Sequence, residues 1–310
     1  MTTNTPAYIA LGHAALRAKA ELASENLRCC GLCPRRCKTD RTGGQTGYCR
    51  TAARAVVASY DAHYGEEAPL VGSHGSGTIF FSHCNLLCNF CQNFDISHEG
   101  AGRRVSERQL ADMMLDLQDN GCHNINLVTP SHVIPQILGA LVLAAADGLT
   151  LPLVYNSSAY DAVESLRLLE GVVDIYMPDF KFWNPIIAAQ TCKAPDYPEV
   201  ARTALIEMHR QVGDLIIDDD GLTRRGLLVR HLVLPEGLAG TRDIARFIAT
   251  QISDNTYINI MAQYRPCGRA HEISALARSL SALEYERALN EAREEGIGRL
   301  DQRRRVFMIR

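Results

Sequence analysis

From about residue 76 onward, short apolar runs alternate with longer segments in which apolar residues recur every three or four positions. The runs over 78–82, 125–128, 151–155, 172–176, 227–234 and 257–261 predict strands, rich in branched and aromatic side chains. The segments between them predict helices. Over 106–120, Leu110, Met113, Met114 and Leu117 repeat at helical spacing, Ser106 and Gln109 form a capping box, and Gly121 ends the run. Similar patterns predict helices over 133–146, 161–169 (with Asp161 and Glu164 as its box), 201–212, 241–252 and 281–295 (capped by Ser281 and Glu284). The first 28 residues read as one helix. Residues 29–50, dense in Cys, Arg and Gly, read as a loop organised by something other than an apolar core.

Strands alternating with helices in this way imply a parallel sheet with helical crossovers. The expected fold class is α/β: a partial (β/α)6 barrel with an N-terminal Cys-rich metal-binding segment and a C-terminal helix. An open doubly wound sheet is the alternative. The expected boundaries are 1–70 for the helix and Cys-rich segment, 71–266 for the barrel and 267–310 for a helical tail. In either architecture, chemistry gathers where the strands end. Those ends carry Ser82, Thr129, Asn156, Asp179, Lys181, Arg230, His231, Gln263 and Arg265.

Composition narrows the class further. Apolar residues make up 46% of the chain and charged residues 22%, which supports a sizeable core and argues against wholesale disorder. A net charge of -3 argues against a globally basic nucleic-acid binder, and Arg303–Arg305 reads as a solvated tail. The longest apolar run, Leu138 to Ala146, stops at Asp147 and is too short to span a membrane. The N-terminus lacks the basic start and apolar block of a secretory signal, so a cytoplasmic location is expected.

Cysteine changes the picture. There are 11, and eight precede residue 92. Such front-loading in a cytoplasmic chain reads as metal binding, not as a disulfide framework. Cys84, Cys88 and Cys91 follow the first strand with spacing C-x3-C-x2-C. Three thiolates on one tight loop can hold three corners of a [4Fe-4S] cubane and leave the fourth iron free for a small molecule. Zinc is the alternative there, with His83 or His98 completing the set. Cys30, Cys33, Cys37 and Cys49 (C-x2-C-x3-C-x11-C) can satisfy zinc or a second iron–sulfur cluster, with Arg35, Arg36, Arg41 and Arg50 offsetting thiolate charge. The alternative is a set of redox-labile thiols in an arm. Cys29 reads as a spare, and Cys122, Cys192 and Cys267 as isolated ordinary thiols. The ten histidines form no spaced metal motif. His132 and His231 lie best placed at the expected mouth, and neither is assigned as a catalytic base.

The triplet, with Phe90 before its last cysteine, resembles the radical S-adenosylmethionine superfamily. The stretches Gly75–Asn93, Asn124–His132, Asp174–Lys181 and Arg230–Pro235 are similar to the uncharacterised group related to pyruvate formate-lyase activating enzymes. The resemblance spans about 28–290. It implies that Cys84, Cys88 and Cys91 ligate a [4Fe-4S] cluster and that S-adenosyl-L-methionine sits on the open iron. Reductive cleavage to a 5'-deoxyadenosyl radical and hydrogen abstraction would follow, including activation of a glycyl-radical enzyme. It further implies that Phe90 lies near the adenine, and that Asp179 and Lys181 lie near the cofactor carboxylate. Thr129 and Asn156 join these as cofactor-binding candidates at the strand ends. The implied partners are a low-potential electron donor and a protein substrate. One departure stands out. Where many members carry a Gly-Gly-Glu turn that binds the methionyl amine, this chain reads Val128-Thr-Pro-Ser-His132, leaving Thr129, Ser131 or backbone carbonyls as acceptors. A different class, a noncatalytic iron–sulfur or zinc protein for electron transfer or partner binding, is the alternative.

Overall fold

Strand β1 (Ala55–His63) pairs antiparallel with β2 (Ser76–Phe81) on one side and with β3 (Arg103–Val105) on the other. These assignments come from a computed structural model that describes residues 5–301, so Arg303–Arg305 lie outside the described residues. Beyond β2 the sheet becomes parallel. β2, β4 (Ile125–Val128), β5 (Leu153–Ser157) and β6 (Ile175–Pro178) are neighbours in chain order. A two-residue strand, β7 (Ile216–Ile217), pairs antiparallel with β8 (Thr223–Leu232), which lies parallel to β6 and to β9 (Tyr257–Met261). Each of the parallel strands overlaps an expected one, although β6 begins three residues after, and β8 four residues before, the expected start. β1, β3 and β7 were not anticipated.

The result is an α/β fold with a mixed nine-stranded sheet that does not close into a barrel. Closure would need β9 to bond to the free edge of β2. β1 already occupies that edge. β1 also falls within the expected N-terminal segment, 1–70, yet is hydrogen-bonded into the sheet.

The helices are α1 (Ala7–Leu11), α2 (His13–Glu25), α3 (Ala68–Val71), α4 (Glu107–Asp119), α5 (Ile134–Ala146), α6 (Val163–Leu168), α7 (Pro185–Cys192), α8 (Tyr197–Val212), α9 (Thr241–Phe247) and α10 (Ala282–Glu294). The expected first helix is split at Gly12, whose φ of 85° breaks the helical path. The capping boxes of α4 and α10 form as read, with both reciprocal hydrogen bonds present. The Asp161/Glu164 box does not. Helix α6 starts after Ala162, and Asp161 instead accepts hydrogen bonds from Tyr155 Oη (2.8 Å) and Ser157 Oγ (2.7 Å). Helix α8 begins earlier than expected, with Pro198 in its first turn, where a missing N–H costs nothing. Helix α9 gives way to a wider π turn over Ile248–Ile252.

Side chains alternate across the sheet, and its two faces differ. Ile79, Phe81, Ile125, Leu127, Leu153, Tyr155, Tyr176 and Val229 pack against the helices in the main core. Val154, Ile175, Met177 and Leu228 form a second apolar cluster with Leu70 of α3 and Leu215. Asn126, Asn156, Arg230 and Asn259 share this second face by strand register. Among the described residues no helix is long and apolar enough to cross a membrane.

Candidate functional site

The loop after β2 carries the cysteine triplet. Two of its non-glycine residues, His83 (φ 69°) and Leu87 (φ 56°), take left-handed conformations, which fold the backbone tightly around the sulfurs. The N–H of Leu86 donates to Cys84 Sγ at 3.3 Å. Desolvation pushes the Cys84 thiol up to about 12; the sulfurs of Cys88 and Cys91 add to this, and N–H donors from Leu87 and Leu86 oppose it. Desolvation and the neighbouring Cys88 raise Cys91, against hydrogen bonds from Ser97 and Asn93. The three thiols therefore lie within electrostatic reach of one another in a site that disfavours bare thiolates. Such a site suits thiolates whose charge a metal compensates. Among the described residues, no group of three or more His, Cys, Asp or Glu side chains converges closely enough to hold a single metal ion. Three neighbouring thiols with N–H groups facing sulfur are a donor set that fits an iron–sulfur cluster.

Cys192 is not the isolated thiol it reads as. Its Sγ lies 3.2 Å from Cys88 Sγ, at the end of α7, and both residues are buried. That hydrogen bond is the foremost reason the Cys88 thiol is raised, with desolvation second.

Beside the loop, the ends of β5, β6 and β8 bring Asn156, Asp179, Lys181 and Arg230 together. Asp179 accepts from Lys181 Nζ at 2.6 Å and from Arg230 Nε at 2.7 Å. Arg230 also donates to Asn156 Oδ1 at 3.0 Å and lies 3.5 Å from a Glu66 carboxylate oxygen. Burial tends to raise Asp179, but Arg230 and Lys181 outweigh it and hold the carboxyl at about 2. Desolvation tends to lower Lys181; Asp179 and then Cys88 reverse that and keep it protonated. The strand-end charges and the cysteine loop thus belong to one electrostatic unit. Glu66 and Glu67 reach this unit from the segment before β2, with Asn259 donating to Glu67 at 2.7 Å. Neither was anticipated, because only the fold brings residues 66–67 to strands that begin more than a hundred positions later.

Thr129 follows β4 with a φ of 61°, a strained conformation for a β-branched residue, and its N–H donates to Asn156 O at 2.9 Å. Ser131 is buried, with its hydroxyl beside Asp161 and Tyr155. Phe90 is buried edge-on to Phe182 (5.9 Å) and Tyr264 (6.0 Å), so it stands in an aromatic cluster and not open at the mouth. His132 and His231 are both buried. Desolvation and Arg41 push His132 down to about 3, so it stays neutral, with Nε2 bonded to Ser82 O. His231 is held at both ring nitrogens by Phe180 O and Thr241 Oγ1. Both read as structural.

The second cysteine group gathers as well. The Cys33 thiol is raised to about 12 by desolvation, against a backbone hydrogen bond from Arg35, with Cys49, Cys30 and Cys37 all contributing. Only one of the four arginines faces sulfur, Arg41, whose Nη1 lies 3.8 Å from Cys30 Sγ. Arg36 pairs with Glu164 on the surface and Arg50 donates to His98 O. Arg35 donates to backbone carbonyls instead. Cys29 is exposed.

No family profile matches the chain. The uncharacterized protein MJ0674 of the archaeon Methanocaldococcus jannaschii is 33% identical over 279 residues, covering 87% of this chain and 76% of its own length. At that identity and coverage, the chain belongs to the same family as MJ0674.

Proposed function

We propose that the protein is a radical S-adenosylmethionine enzyme, its parallel strands serving as a partial (β/α)6 barrel for one cluster and one cofactor. The observation that carries this reading is the meeting of a three-cysteine loop at the end of β2 with the Asp179–Lys181–Arg230 unit at the ends of β6 and β8. Cys84, Cys88 and Cys91 would hold a [4Fe-4S] cluster, which when bound would supply the reductive cleavage of S-adenosylmethionine and thereby radical hydrogen abstraction from a substrate.

The chain's own residues do the rest. Lys181 lies within electrostatic reach of Cys88 and Cys91, with Arg230 on the far side of Asp179, and these cations suit the carboxylate of an amino-acid-like ligand. Asp179 fixes both cations in place and remains ionised throughout the neutral range. Asn156 and the strained Thr129 turn line the adjoining strand ends. The packed aromatic side chains around Phe90 exclude water from the reacting region. A low-potential electron donor is the required partner. A glycyl-radical protein is the substrate favoured by the resemblance to activating enzymes.

Anaerobic reconstitution with iron and sulfide, followed by reduction with S-adenosylmethionine and product chromatography, tests the reading. The expected result is 5'-deoxyadenosine, lost in Cys88→Ala. A protein that takes up iron and sulfide but yields no such product, with or without candidate glycyl-radical proteins, would be a noncatalytic iron–sulfur carrier.

A further inference from the structure

Residues 26–54 contain neither helix nor strand, yet they are firmly held: Leu32, Arg41 and Thr51 are each 1% exposed. Their only separate apolar cluster is Leu27, Cys30 and Leu32. A stretch this long without secondary structure or a core of its own needs another cross-link. The four thiols offer one. Cys30, Cys33 and Cys49 are buried, Cys37 is half-buried, and the Cys33 sulfur senses the other three. The backbone is shaped to the sulfurs: Tyr48 N–H donates to Cys37 Sγ at 3.2 Å, and a Cβ at Gly47 would lie 2.7 Å from both Cys37 Cβ and Sγ. Arg41 closes the other side, donating to Ala52 O (2.9 Å) and His132 O (2.8 Å) beside Cys30.

We propose that Cys30, Cys33, Cys37 and Cys49, which lie within electrostatic reach of one another but too far apart for a single ion, hold an iron–sulfur cluster that clamps the Cys84–Cys91 loop through Arg35. Arg35 lies between the second and third of these cysteines, so the centre fixes both ends of its short backbone segment. Its guanidinium spans the gap to the other loop. Nε donates to Asn85 O at 3.0 Å and Nη2 to Leu86 O at 3.4 Å, both carbonyls lying between Cys84 and Cys88. Nη2 also donates to Cys192 O at 2.8 Å and Nη1 to Lys193 O at 2.6 Å, at the end of α7. The planar group lies 3.9 Å from the centroid of the Tyr48 ring, next to Cys49, and 5.1 Å from that of Tyr160. Tyr160 in turn accepts a hydrogen bond at its carbonyl from Asn85 Nδ2 at 2.6 Å. One side chain therefore ties the amino-terminal thiols to the backbone around Cys88 and to the neighbouring thiol Cys192. A lysine cannot reproduce this, because it lacks the fork of donors and the flat face.

The clamp rests on the proposed function only in naming 84–91 a cluster loop; the metal at the four amino-terminal cysteines does not. A variant with Cys84, Cys88 and Cys91 all changed to Ser isolates that centre. Elemental analysis after anaerobic reconstitution with iron and sulfide is expected to find about four irons per chain, lost on adding Cys33→Ser. Iron with matching sulfide supports the proposal; zinc in its place, or no metal above trace, overturns it. Should the triple variant not fold, Cys33→Ser in the otherwise intact chain must lose the same equivalents. The clamp itself is read by amide hydrogen exchange, faster by about tenfold or more over 84–91 in Arg35→Ala and in Arg35→Lys, with β5 unchanged. Unaltered exchange over 84–91 in both variants overturns it. A chain that holds the amino-terminal metal and passes the exchange test, but makes no 5'-deoxyadenosine, separates this inference from the proposed activity.

Discussion

At the scale of single residues, the site depends on charges that burial would suppress if they stood alone. Asp179 is the sharpest case. Its carboxyl is held at about 2, below its ordinary 3.8, because Arg230 and Lys181 outweigh desolvation. A depressed carboxyl contributes stability that is fully present above about pH 4 and is lost as the pH falls through about 2. The shift corresponds to roughly 2 kcal/mol. Urea unfolding of the chain should show that slope between pH 4 and pH 2, and Asp179→Asn should flatten it while lowering stability at pH 7. An unchanged slope in the variant would mean that the pairing is not what depresses the carboxyl. Thr129 makes the opposite kind of contribution. Its left-handed backbone costs about 1–2 kcal/mol in a non-glycine residue. Thr129→Gly should therefore raise the midpoint of thermal unfolding, while the yield of 5'-deoxyadenosine falls if the threonine side chain meets the cofactor.

The legible part of the site follows from this scale. Cys84, Cys88, Cys91, Asp179 and Lys181 could be named because they sit at fixed offsets from strands, and offsets are visible in a chain. Cys192, Glu66 and Glu67 could not, and Arg35 was read only as a counter-charge to the amino-terminal thiols, since each reaches the site across a long sequence separation. Nothing in the local pattern around Cys192 distinguishes a thiol 3.2 Å from Cys88 from an ordinary buried one.

Elements were legible in proportion to how much of their pattern is local. The parallel strands are buried on both faces and read as short apolar runs, so their places and order emerged directly. β1 alternates buried and partly exposed positions and carries Ser59, Asp61 and His63 at the sheet's edge, which weakens the apolar signal. Caps divide in the same way. Ser106 and Ser281 have nothing nearer to bond than their own helix, and both boxes form. Asp161 has Tyr155 and Ser157 within reach, and the tertiary hydrogen bonds win. This difference is testable on α4. Ser106→Ala removes the acceptor of the Gln109 N–H and should cost about 1 kcal/mol in equilibrium unfolding. Asp161→Asn should be the more damaging change although it caps no helix, because Asp161 is buried and accepts from two hydroxyls. A loss for Ser106→Ala equal to or above that for Asp161→Asn would contradict this ordering.

At the scale of the whole molecule, the sheet and the two cysteine loops are separable in what stabilises them. The sheet buries apolar rows on both faces, with helices over one and Leu70 and Leu215 among those covering the other. None of that packing requires a charged sulfur. Burial raises the thiols of Cys33, Cys84 and Cys91, so without metal they rest as neutral groups in an otherwise complete fold. Residues 26–54 and the loop after β2 are different, because they lack ladders of their own and lean on sulfur, Arg35 and Arg41. Stripping metal with a chelator under anaerobic, reducing conditions should therefore leave the far-ultraviolet circular dichroism largely intact. Limited proteolysis of that metal-free protein should cut first within 26–54 and 84–102, at sites that the reconstituted protein protects. A metal that binds only the folded form should also raise the thermal midpoint on reconstitution. Collapse of the dichroism on metal removal would show instead that the metal holds the whole sheet together, and that the apolar rows alone do not suffice.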